Sequence, residues 1–73
     1  MHKYKINLET NKDIIDFVNI ATTVEGYVHL MDGEGFKVNG KSLLGAVATV
    51  EWDSLYCESE NDIYSKIEKY IAE

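Results

Sequence analysis

Few side chains in this sequence can do chemistry. There are two histidines, His2 and His29, one cysteine, Cys57, and no arginine. A histidine can titrate near neutral pH or ligate a metal. His29 has no second His or Cys at ligand spacing, so it reads as a strand-surface residue. His2 is near-terminal and is expected to be disordered. Cys57 alternates with Leu55 and is expected in the core, not as a reactive thiol. As the single cysteine, it cannot form an internal disulfide. Glu58, Glu60 and Asp62 invite a calcium reading, but no twelve-residue loop supplies the oxygen spacing. They read as the solvated start of a helix, and no metal or cofactor is expected. Two of the hydroxyl side chains are singled out by their setting. Thr10, with Asn11 and Asp13, is a cap candidate. Ser42 is placed to N-cap a short helix with Lys41 beside it, a setting that can host an added phosphate. Trp52 and Tyr56 are either packing residues or a contact surface.

These residues are carried by a regular pattern of elements. Tyr4, Ile6 and Leu8 alternate with Lys3, Lys5 and Asn7, which predicts a half-buried strand. Ile14, Val18 and Ala21, with Ile15 and Phe17, follow helical spacing from about Lys12 to Thr23. Tyr27 to Met31 is a second strand, with Val28 and Leu30 on one face and Tyr27, His29 and Met31 on the other. Asp32-Gly33-Glu34-Gly35 predicts a hairpin turn, and Phe36 to Asn39 a short third strand. The short helix runs from Leu43 to Val47. Gly45 weakens it by propensity, so packing must hold it or a close approach must need it. Leu44 is expected inward, with Leu43 and Val47 exposed. Leu55 to Glu58 is the last strand. Ser59 caps a final helix, about Glu60 to Ala72, with Ile63, Ile67, Tyr70 and Ile71 as its apolar stripe. The order is β-α-β-β-α-β-α. It predicts an α+β fold with helices on one face of a four-stranded antiparallel sheet.

Composition narrows the function. The chain has 73 residues and a net charge of −6, with seven lysines as its only strong cations. One domain, 1–73, is expected, with a small core. Residues 1–50 hold 6 acids and 5 lysines, whereas residues 51–73 hold 7 acids and 2 lysines. Phosphate neutralisation needs clustered cations, so nucleic-acid binding is not expected. No apolar run approaches the ~20 residues of a membrane span, and no secretory h-region opens the chain. A cytoplasmic protein is expected. An exposed apolar patch on so acidic a chain argues for a protein partner or a homodimer.

One segment resembles a known family. Val38-Asn39-Gly40-Lys41-Ser42-Leu43-Leu44-Gly45 is similar to the serine segment of the histidine-containing phosphocarrier protein HPr, with its V-N-(A/G)-K-S-(I/L)-(M/L)-G motif. Phe17-Val18-Asn19-Ile20-Ala21 matches the family's F-V-x-x-A. The resemblance covers essentially the whole chain and implies the HPr-like open-faced β-sandwich. The departure from the family lies in its phosphate-carrying segment, G-L-H-A-R-P-A, which falls on Leu8 to Ile14. Thr10 occupies the histidine position, Lys12 the arginine position and Asp13 the proline position.

The chemistry of that departure is direct. A phosphoramidate on imidazole is a strong donor, whereas a threonine phosphoester is stable and its hydroxyl needs an adjacent base. Asp13 favours the positive end of the helix dipole and competes there with an incoming phosphate. The resemblance therefore implies a protein of the sugar phosphotransferase system that works by protein contact or regulation, without phosphohistidine transfer and without catalytic residues of its own. It further implies Ser42 as a regulatory phosphosite for an HPr kinase. Leu43, Leu44 and Val47 become the docking residues for a phosphotransferase-system enzyme, the kinase or a regulator. The alternative is a phosphocarrier using a non-standard acceptor, for which His29 is the available histidine. A dimer that swaps a strand or a domain is a third reading.

Overall fold

The structure, a computed structural model, describes residues 2–72. Alternation in the N-terminal stretch produces β1, His2–Ile6. Thr10 then ends the extended backbone. Its hydroxyl accepts the Asp13 backbone N–H, and α1 runs over Asn11–Thr22. The chain returns as β2, Val28–Asp32, turns, and pairs back as β3, Lys37–Asn39. The Asp32 carboxylate makes that turn by accepting the N–H groups of Glu34 and Phe36. The five-residue α2, Leu43–Val47, follows and continues as a 3₁₀ turn over Ala48–Glu51. β4 is Leu55–Ser59 and α3 is Tyr64–Ile67, with a 3₁₀ turn at Glu68–Tyr70.

The four strands form one antiparallel sheet in the order β1-β4-β2-β3. The fold class is therefore α+β. Register decides which residues meet the helices. Ile6 faces Leu55, and Leu30 faces Cys57, so one side of the sheet is apolar. Phe17, Ile14, Val18 and Ala21 of α1 close over that side with Ala46, Ile63, Ile67 and Tyr70. Phe17 meets Tyr70 edge-on at 5.9 Å between ring centroids. Among the described residues, no helix covers the opposite side of the sheet.

Several expected boundaries move. His2 is not disordered: it opens β1 opposite Ser59, and its ring stacks on Tyr4. Leu8 and Phe36 fall outside the strands. The final helix is far shorter than Glu60–Ala72, although Ile63, Ile67 and Tyr70 are buried as the stripe required. Its end is claimed by the sheet. Asn7 donates to the Tyr70 carbonyl, Ala72 donates to the Lys5 carbonyl, and Ile71 bridges Ile6. Ser59 is not a cap either. It is buried at the end of β4 and donates to the Asn61 carbonyl, while Ile63 stands at the α3 N-cap with no side-chain bond.

Cys57 is fully buried. Burial, with the Glu58 carboxylate beside it, pushes its thiol up from an ordinary 9.0 to about 12. The folded chain thus keeps a proton that the unfolded chain loses. This contribution to stability is complete below the unfolded pKa and fades as pH rises from about 9 towards 12. The native protein is expected to resist iodoacetamide at mildly alkaline pH and to react when unfolded in urea. Equal rates in the two states would put Cys57 outside the core.

Candidate functional site

The segment from Asn39 to Val47 is built by close backbone approach. A Cβ at Gly40 would lie 2.9 Å from Val28 Cγ1 and 3.0 Å from the Val28 carbonyl. That is too close for any other residue, and it lets Gly40 N–H donate to Val28 O at 2.7 Å. A Cβ at Gly45 would lie 3.2 Å from the Asn39 carbonyl. The close approach expected at Gly45 is therefore present, and it presses α2 against β3.

That approach sets the facing of the whole helix. With Gly45 and Ala46 turned inward, a rotation of about 100° per residue must carry Leu44 and Val47 outward. Leu44 is 84% exposed, against 47% for Leu43 and 51% for Val47. Leu44 was expected inward, but Ala46 takes that place, fully buried. Leu43 and Val47 also meet Ile14, Ile15 and Asn11 of α1 around a shallow, mainly apolar groove of about 330 Å³.

Ser42 is the N-cap of α2, one residue before Leu43. Its hydroxyl accepts the Gly45 N–H at 3.3 Å, a long bond, so the cap is weak. The neighbouring lysine is committed elsewhere: Lys41 Nζ donates to the Val24 carbonyl at 2.6 Å. It ties the end of the α1 connection to the α2 entry, so the Lys41 ammonium is engaged away from Ser42.

At the start of α1, Thr10 Oγ1 accepts from Asp13 N–H at 3.0 Å while Asp13 Oδ2 accepts from Glu9 N–H at 3.1 Å. These bonds engage the Asp13 N–H and hold the Asp13 carboxylate at the helix N-terminus, where its charge opposes an incoming anion. Lys12 is drawn off by Asp16 at 2.8 Å, an exposed pair that holds the Lys12 ammonium above and the Asp16 carboxyl below their usual ranges. No imidazole approaches. His29 lies on the helix-free face of the sheet, stacked on Tyr27 at 4.6 Å between centroids. It is not positioned to serve the α1 N-terminus.

Comparison gives no neighbour. No family model, curated protein or solved structure matches this chain. Among the described residues no group of three His, Cys, Asp or Glu side chains is placed to hold a metal. No helix there is long and apolar enough to cross a membrane.

Two features escaped the sequence reading. Asp32, Glu34, Glu51 and Asp53 converge around one depression of about 210 Å³, although they come from two segments far apart in sequence. Tyr4 ties β1 to the α3 entry: its hydroxyl donates to Asp62 Oδ1 at 2.9 Å and accepts the Ile63 N–H at 3.2 Å. The Asp62 carboxyl also accepts the Tyr64 N–H, and these bonds hold it below its ordinary range. Tyr56 and Trp52, left open by sequence, separate. Trp52 packs against the core, and Tyr56 lies on the helix-free face under Lys3.

Proposed function

We propose that this chain is an HPr-like module of the sugar phosphotransferase system that acts by protein contact and carries no phosphohistidine. The observation that carries this reading is the exposed apolar surface of α2, with Leu43, Leu44 and Val47 beside Ser42 and next to the α1 groove. Large aliphatic side chains on a small acidic domain cost solubility unless a partner covers them. The element order and the single helix-covered face of the sheet support the HPr-like open-faced sandwich. The Thr10 cap and the Asp13 carboxylate at the α1 N-terminus support the loss of the family's phosphate chemistry.

Within this reading Ser42 is the regulatory phosphosite and an HPr kinase one of the partners. The side chain is half-buried and, among the described residues, bound by one long N–H contact, so its hydroxyl can be released to a kinase. Incubation with such a kinase and ATP is expected to add about 80 Da, the mass of one phosphate, to the intact chain. Ser42→Ala should abolish the addition and cost about 1 kcal/mol of stability or less, as expected of a weak cap. An unchanged mass in the wild type would remove Ser42 as a phosphosite.

A further inference from the structure

The face of the sheet opposite the helices has an ordered pattern of its own. Register aligns it in two rows across the four strands: Lys3, Glu58, His29 and Asn39 in one, Lys5, Tyr56, Met31 and Lys37 in the other. The lysines fall on the two edge strands. The central strands present Tyr56, Met31 and His29, with Tyr27, just before β2, stacked on His29; all are half-buried. Glu58 is the one carboxylate in these rows, and it is buried at 8% exposure, 3.5 Å from Lys37 Nζ and 3.7 Å from His29 Nδ1. His29 Nδ1 is buried without a hydrogen-bond partner among the described residues. Lys3 Nζ sits over the Tyr56 ring at 5.0 Å. Among the described residues, neither Lys3 nor Lys5 has a carboxylate within ion-pair distance.

The charge is thus segregated. Three of the seven lysines, with a single shielded acid in these two rows, occupy one face of a chain whose net charge is −6, and the exposed Glu60 lies beyond the rows at the Tyr27 end. Four strands at about 4.8 Å spacing span roughly 14 Å, and a helix with its side chains is about 10–12 Å wide. We propose that this face is a docking surface for an acidic amphipathic helix of a partner protein. The apolar stripe of the helix would lie over Tyr56, Met31 and Tyr27, and its flanking carboxylates would meet Lys3 and Lys5 on one side and Lys37 on the other. The occupant turns the two-layer fold into three layers. Face-to-face pairing of two copies would oppose lysine to lysine, so charge selects a different, acidic chain. Edge-strand lysines also deter unwanted strand pairing; that role needs no aromatic centre between them.

The test uses the full chain and a fluorescein-labelled synthetic helix of about 18 residues, Leu on one stripe and Glu elsewhere. Anisotropy at low salt should show binding. A Lys3→Gln/Lys5→Gln/Lys37→Gln variant, with its fold checked by circular dichroism, should bind about tenfold more weakly, from three surface pairs of modest strength. Backbone amide shifts should move at Lys3, Met31 and Tyr56 and stay fixed at Leu43 and Leu44. Four results would each overturn the proposal: no binding, equal binding by the variant, shifts confined to α2, or tighter binding of a labelled oligouridine. Concentration-dependent dimerisation lost in the variant would assign the face to self-association instead.

Discussion

Phe17→Ala is expected to remove a large part of the stability of this protein. Phe17 is fully buried at the centre of the α1 face and meets Tyr70 edge-on. Truncating a buried phenylalanine costs about 3–5 kcal/mol, part transfer and part cavity. A chain of this length has roughly 4–11 kcal/mol in total. The cavity would open where α1, α3 and the sheet converge, and a core this small has few other side chains to collapse into it. Urea denaturation should show the midpoint falling towards zero, with the slope unchanged where a transition can still be followed. Phe17→Leu should cost much less, because most of the volume remains. A shift below about 1 kcal/mol for the alanine variant would contradict the core described above.

Leu44→Asp is the opposite case, a large functional effect with little effect on folding. With its side chain 84% exposed, Leu44 has few contacts to lose. Denaturation should shift by no more than about 0.5 kcal/mol. If α2 docks on a kinase or a phosphotransferase-system enzyme, an aliphatic anchor replaced by a charge should cost at least about 2 kcal/mol of binding, near 30-fold. The kinetics of Ser42 phosphorylation would report it as a loss in kcat/KM, with a Leu44→Ala variant intermediate. A destabilised Leu44→Asp protein would return Leu44 to the core, where sequence reasoning had placed it.

The pair of variants also shows what was readable from the chain. Strong periodicity over many residues was decisive: α1 has four buried positions at helical spacing, and α1 and the core residues Phe17, Val18 and Ala21 stand where expected. The turn chemistry at Asp32-Gly33 and the Thr10 cap were legible because each is local. Leu44 was not. A helix of five residues makes less than two turns, too few for its pattern to define an inward face, and its facing is set by the contact of Gly45 with the Asn39 carbonyl. The length of α3 was hidden for a related reason. Its last residues have helical spacing, but they are used to extend the edge of β1, a long-range pairing that no local pattern encodes.

The lysine-rimmed face was half visible. Alternation already put Tyr27, His29 and Met31 on one side of β2. What was missing was register, which places them beside Tyr56 and Glu58 and between Lys3, Lys5 and Lys37. Charge counted along the sequence reports only an acidic chain; charge counted by strand face separates a cationic surface from an acidic remainder.

The proposed loss of phosphohistidine chemistry is tested most directly by incubating the chain with enzyme I and labelled phosphoenolpyruvate. Thr10 is engaged as a helix cap, Lys12 is paired with Asp16, and His29 is on the far side of the sheet. The account therefore predicts that the chain acquires no acid-labile label, even at enzyme concentrations that fully label an authentic HPr. Acid-labile phosphate on this chain would contradict it.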